Sequence, residues 1–245
     1  MYHSIGNLDN NEVGAELYCV SIEKFREQME YLSGRVPLQY IRVSPLRGQT
    51  LQIGKDSPCI TFDDGLLDNY TSAYPILREF GLKAYFFILA GKLGMRRYMT
   101  WEQIKELSEA GMIIGSHGMT HRILTELSDR DLDYELKESK AILEKRLDRV
   151  IEYLSLPKGH YNQRVINKIK EAGYKAVFTS NPKDNDGFKF GRIPIKEKWN
   201  LGYFKQVVSG GLSLKDKMEE LVKDSSKRIL GARRYSRLRE KLLEL

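Results

Sequence analysis

The sequence predicts an α/β domain built on parallel strands, and three observations carry that expectation. Short apolar runs of strand character recur at residues 59–62, 84–89, 112–115, 150–156 and 176–179. Segments of helical periodicity lie between them, over about 70–80, 100–111, 128–147 and 163–172. The run at 84–89, Ala-Tyr-Phe-Phe-Ile-Leu, is apolar on both faces, as expected of a strand covered on both sides. Such alternation implies parallel pairing in an open doubly wound sheet or in a barrel. Periodicity does not choose between the two.

The elements follow in order. Residues 2–5 read as a very short strand and 7–14 as a polar, turn-rich loop. Ser21 caps a helix with Ile22, Phe25, Met29 and Leu32 on its apolar face, ending at Gly34. Residues 36–55, with Pro45, Gly48 and Gly54, read as a hairpin or short excursion. Thr100-Trp101-Glu102-Gln103 forms a capping box at the head of its helix. The long helix over 128–147 places Leu132, Leu136, Ile142, Leu143 and Leu147 on its apolar face. Residues 181–187 read as a loop and 190–195 as a last strand. Beyond, Leu214, Met218, Leu221, Val222, Ile229, Leu238 and Leu242 are spaced for an amphipathic helix. The expected division is therefore a domain over 1–212 and a basic helical extension over 213–245.

Composition narrows the function classes. With 41% hydrophobic and 30% charged residues in 245, the chain is an ordinary globular one. Its net charge of +7 is small and no nucleic-acid-binding motif is present, so nucleic acid is not an expected partner. Residues 214–245 carry ten Lys/Arg against six Asp/Glu, +4 of that charge. Their basic helix is expected to pack on the domain, with peripheral contact to an anionic membrane as the alternative. Two cysteines, Cys19 and Cys59, make no disulfide framework, and Cys59 is expected to be buried. No run approaches the roughly 20 apolar residues of a membrane span, and the first residues do not read as a signal peptide. The expected location is the cytoplasm.

Two stretches carry the chemistry. Thr61-Phe62-Asp63-Asp64-Gly65 puts two carboxylates at a strand end, where neighbouring side chains point apart, so one can hold a metal while the other handles protons. Ser116-His117-Gly118-Met119-Thr120-His121 spaces two imidazoles at i and i+4, which a helical turn would bring onto one face. Two His and one carboxylate with an open position form a common catalytic zinc set, and the set also suits other divalent ions.

Together these stretches resemble the first two motifs of the polysaccharide deacetylases, carbohydrate esterase family 4. The resemblance runs from Tyr2 to about Ile195. It implies an irregular (β/α) barrel of about seven parallel strands with the chemistry at their carboxyl ends. It also implies a metal-dependent hydrolase that removes an N-acetyl group from an amino sugar of a polysaccharide or of its biosynthetic intermediate. In that scheme Asp64, His117 and His121 hold one divalent ion, zinc first, and Asp63 is the general base.

Two departures from the family are visible. The third motif reads Leu154-Ser155-Leu156-Pro157-Lys158-Gly159-His160-Tyr161-Asn162, with Ser155 where the orienting arginine is usual and Lys158 where an aromatic is usual. Pro157, Lys158, Gly159 and Tyr161 are the expected substrate-binding residues, with a backbone N–H near Lys158-Gly159 facing the oxyanion. Trp101, Trp199 and Tyr161 are candidates for a sugar-stacking wall. The late histidine that serves many relatives as general acid is missing, since the histidines are 3, 117, 121 and 160. Tyr2-His3 resembles the amino-terminal Tyr-His motif of the exopolysaccharide-type members, which implies His3 as the acid. His160 is expected in a loop near the site. Alternatives are removal of another acyl group, such as formyl, from a lipid- or nucleotide-linked sugar, and a catalytically inactive carbohydrate-binding module.

Overall fold

A computed structural model describes residues 1–6, 15–34, 59–211 and 213. The expected loop at 7–14, the excursion at 36–55 and, apart from Ser213, the extension at 213–245 lie outside the described residues.

Six strands form one parallel sheet in strictly sequential order: β3 (Thr61–Phe62), β4 (Tyr85–Ile88), β5 (Ile113–Ser116), β6 (Tyr153–Ser155), β7 (Ala176–Thr179) and β8 (Lys189–Gly191). A doubly wound sheet would reverse its order at a switch point; this one does not. The extended start of the chain joins the two edges. Tyr2 N donates to Thr61 O at 2.8 Å and Asp63 N to Tyr2 O at 3.1 Å, on the β3 side. On the other side the Met1 nitrogen donates to Ile193 O at 3.0 Å, and Ile195 N donates to Met1 O at 2.9 Å. Met1 and Tyr2 thus act as a seventh stave, and the expected barrel of about seven strands is what the chain forms. Just after it, β1 (Ser4–Ile5) pairs in parallel with β2 (Cys19–Val20).

Strand alternation divides the core. Tyr85, Phe87, Tyr153, Phe178 and Phe190 make one buried cluster on one face of the sheet. Phe62, Phe86, Ile88, Ile114, Leu154 and Val177 face the helical layer. There they meet α1 (Ile22–Ser33), α2 (Tyr74–Glu79), α3 (Trp101–Glu109), α4 (Asp129–Asp133), α5 (Ser139–Leu147), α6 (Gln163–Glu171) and α7 (Leu201–Val208). The expected double-sided burial of β4 holds, since all four of its residues are buried. Helix α6 shows how the layers bind: Asn162 caps it by accepting from Val165 N at 3.0 Å, and Val165, Ile166 and Ile169 are buried. Each such aliphatic side chain contributes about 1.5–3 kcal/mol of burial. The capping box at Thr100 and Gln103 is formed in both directions.

Several elements differ from expectation. The helix expected over 70–80 begins instead with a wide π-turn, Asn69–Ala73, before α2. The helix expected over 128–147 is α4 and α5 joined by a second π-turn, Tyr134–Glu138. A π-turn carries an extra residue, so adjacent positions can both point inward; Glu135 and Leu136 are both 0% exposed. The apolar positions keep nearly helical spacing, so periodicity alone does not reveal the inserted residue. Strand β6 starts only at Tyr153, leaving Val150 exposed; Ile22 on α1 is also exposed, while α1 buries Gln28, which accepts from Tyr2 Oη at 2.7 Å. Cys59 is half-buried and free rather than fully buried.

Candidate active site

The site is assembled at the carboxyl ends of the strands. Asp63 leaves β3 and is 3% exposed. Asp64 and Gly65 follow with φ of +73° and +74°, so the chain reverses sharply and the two carboxylates part. The two carboxylates have different partners.

Asp63 is gripped by Arg192, the residue after β8. Arg192 Nη1 donates to Asp63 Oδ1 at 2.6 Å and Nη2 to Oδ2 at 2.8 Å, a bidentate pair. Ser155 Oγ donates to Asp63 Oδ2 at 3.0 Å and accepts from Arg192 Nη2 at 2.6 Å. The guanidinium lies 5.3 Å from the centroid of Phe87 and 5.7 Å from that of Phe178. Burial favours the neutral Asp63, but Arg192, His117 and His3 together outweigh it, and the carboxyl is lowered to about 2. The orienting arginine that the third motif lacks is therefore supplied from the opposite edge of the sheet. Sequence reading missed Arg192; its one signal was a lone cation inside the apolar run Phe190-Gly191-Arg192-Ile193.

Asp64 faces the histidines. Its Oδ1 is 3.4 Å from His117 Nε2 and 3.5 Å from His121 Nε2. Donor atoms of all three residues lie within 4.8 Å of one another. Ligands at 2.0–2.1 Å on a tetrahedral ion sit roughly 3.3–3.4 Å apart, so the two separations from Asp64 suit a divalent ion held between these residues. The tautomer suits it too. His117 Nδ1 is 2.9 Å from Ser155 O, which can only accept, so Nδ1 carries the proton and Nε2 presents its lone pair. Burial raises the Asp64 pKa, but His121 and His117 outweigh it and the net shift is downward. Burial likewise lowers His121, to about 4.

The route that brings the histidines together is not the expected helical turn. His117 follows β5, its N–H on Ile88 O at 2.8 Å, and residues 118–121 form a loop in which Gly118 has φ +82° and His121 φ +67°. Two left-handed residues curl the chain so that both Nε2 atoms meet Asp64.

His3 follows the closing stave. Its carbonyl accepts from Asn69 Nδ2 at 2.7 Å, and its Nδ1 is buried with no hydrogen-bond partner among the described residues. Burial lowers its pKa, while Asp64 and Asp63 are near enough to raise it. Four other expected residues fall on the loop after β6. Pro157 is buried and Lys158 has φ +59°. The Gly159 N–H donates to Leu156 O at 3.1 Å, so that amide is engaged in the turn. A Cβ on Gly159 would lie 2.0 Å from Ser180 Oγ, which excludes other residues there. The Tyr161 hydroxyl donates to both oxygens of Asp184, at 2.9 and 2.8 Å, and Lys189 Nζ lies 5.4 Å from its ring centroid. The two tryptophans of the expected wall pack differently. Trp101 packs on the core with Arg146 5.2 Å from its ring centroid, and Trp199 is buried edge-on to Tyr203.

A family profile for polysaccharide deacetylases matches residues 52–177, more than half of the 245. The chain belongs to the polysaccharide deacetylase family. It is 30% identical over 184 residues to the protein YxkH of Bacillus subtilis, spanning 74% of this chain and 63% of that one. It is 25% identical over 185 residues to the poly-β-1,6-N-acetyl-D-glucosamine N-deacetylase of Staphylococcus aureus, spanning 68% of this chain and 62% of that one. Each match thus spans just under two thirds of the relative's length. Among solved structures, the Streptococcus pyogenes deacetylase PplD in complex with acetate superposes with a TM-score of 0.71 at 27% identity, over 85% of this chain and 96% of that one.

Proposed function

We propose that the chain is a metal-dependent hydrolase that releases acetate from N-acetylglucosamine units of a polysaccharide. The observation that carries this reading is the separation of two adjacent carboxylates into different settings: Asp64 with His117 and His121, and Asp63 with Arg192 and Ser155. The inactive-module alternative rested on the altered third motif, and Arg192 supplies the guanidinium that this motif lacks.

Asp64, His117 and His121 would hold the ion, zinc by donor set and spacing. A divalent ion there supplies Lewis-acid activation of the acetyl carbonyl and of the attacking water. Asp63 takes the proton of that water. Its lowered pKa makes it a weak base but keeps it ionised, and the bidentate guanidinium fixes which lone pair faces the site. The Lys158 N–H donates to the oxyanion. His3 delivers a proton to the departing amine; it lies within electrostatic reach of both carboxylates, and its Nδ1 has no structural bond to give up. Acetate release from poly-β-1,6-linked and β-1,4-linked N-acetylglucosamine oligomers tests the reading and separates the two linkages. No release from either, by zinc-loaded folded protein, would end it.

A further inference from the structure

Glu135 is 0% exposed, yet it belongs to no part of the machinery above. Among the described residues no lysine or arginine pairs with it. Its carboxylate is spent on backbone instead: Oε2 accepts from Met119 N at 2.7 Å and from Thr120 N at 3.0 Å, and Oε1 accepts from the Thr120 hydroxyl. Met119 and Thr120 are the residues between Gly118 and His121. A buried carboxylate is costly unless its bonds return the expense, and here they all go to the loop that joins the two imidazoles.

We propose that Glu135 is a positioning residue for the ion site, setting the path of the loop and hence the convergence of His117 and His121 on Asp64. The inference rests on the reading of those three residues as ligands. Three features support it. The loop does not hold itself: His121 sits at φ +67°, a region disfavoured for a residue with a side chain, so its surroundings must impose it. Gly118, at φ +82°, is packed against the carboxylate so closely that a Cβ there would lie 2.9 Å from Glu135 Oε2. The π-turn Tyr134–Glu138 turns Glu135 inward beside Leu136. The same helix makes a second tie, since Gly118 N donates to Ser116 Oγ at 3.0 Å, Ser116 Oγ meets Ser139 Oγ at 2.9 Å, and Ser139 Oγ donates to Glu135 O at 2.6 Å. Groups that orient ligands without touching the ion typically alter its affinity by about 10–100-fold.

The test is zinc affinity, measured by chelator competition on the full chain, together with hydrogen exchange at the Met119 and Thr120 amides without metal. Glu135→Ala is expected to weaken zinc binding about 10–100-fold and to strip protection from those two amides. Glu135→Gln should stay within a few-fold of wild type, because its Oε1 can accept from both amides and its Nε2 can donate to the Thr120 hydroxyl. A role confined to fold stability would lower the melting temperature and leave the affinity of the folded protein unchanged. Wild-type affinity in folded Glu135→Ala, with binding lost in His117→Ala, overturns this inference and leaves the ligand reading standing. A wild-type chain that binds no zinc overturns both. Should Glu135→Ala not fold, Thr120→Val decides: it is expected to bind zinc about 10-fold more weakly, and unchanged affinity overturns the inference.

Discussion

Arg192→Met removes a cation of similar length from the side of a carboxylate that is 3% exposed. Two charge-assisted bonds to Asp63 are lost, at 2.6 and 2.8 Å, and among the described residues only the Ser155 hydroxyl remains bonded to its carboxylate. Breaking a buried pair by removing one partner costs about 3–5 kcal/mol. The linkage term gives a floor. Asp63 is lowered from 3.8 to about 2, so its ionisation contributes stability that is present above the unfolded value and lost as pH falls through about 2. That amounts to roughly 2 kcal/mol at 1.36 kcal/mol per unit. Urea unfolding of the metal-free protein at pH 7 should therefore show a loss of about 3–5 kcal/mol, shrinking below pH 4. In an Asp63→Asn background the same change should cost far less, giving a coupling energy of at least about 2 kcal/mol. Acetate release by the zinc-loaded variant should fall about 100-fold in kcat with KM little changed, because the base, not the substrate, loses its support. Arg192→Lys should recover only part of this, since an ammonium cannot make the bidentate pair. Equal destabilisation with and without the Asp63 carboxylate would refute the reasoning and reduce Arg192 to a packing residue.

Other outcomes follow from the same geometry. Asp63→Asn should keep zinc affinity and lose about 100-fold or more in kcat; loss of zinc with normal turnover per bound ion would reverse the roles of Asp63 and Asp64. His3→Ala should keep metal content and lower kcat by about 10²–10⁴-fold, removing the alkaline limb of the pH–rate profile. In wild type that limb should lie below the ordinary histidine value, because burial lowers His3; full activity in the variant would rule the role out. Asp68, bonded to the Ser4 hydroxyl and to Asn69, is raised by burial to about 6. A raised carboxyl contributes stability that is fully present below about pH 4 and lost as pH rises through about 6. Metal-free protein should lose about 1–2 kcal/mol over that interval, discounted for partial exposure, and Asp68→Asn should flatten the slope. An unchanged slope in that variant would remove Asp68 from the account.

What was legible in the sequence was local. The Asp63-Asp64-Gly65 turn, the apolar strands, the capping box at Thr100 and the helix over 163–172 are written in neighbouring residues. The closing stave at Tyr2 was reached through the family resemblance together with the absence of a late histidine. What was not legible depends on partners far apart in the chain. Arg192 and Asp63 are 129 residues apart, and nothing in their local spacing joins them. The i, i+4 spacing of His117 and His121 fits a helical turn as well as a loop, and only the left-handed backbone at Gly118 and His121 distinguishes them. Glu135 was hidden by the π-turn, which places a carboxylate inward where a regular period puts Leu132 and Leu136.

The central claim is tested most directly by acetate release from a poly-β-1,6-N-acetylglucosamine oligomer by the protein stripped of metal and then titrated with zinc. The account predicts no release from the stripped protein, full recovery at one zinc per chain, and no recovery when Asp64→Ala is titrated in the same way. Equal release with and without metal, or zinc-restored release by Asp64→Ala, would contradict it.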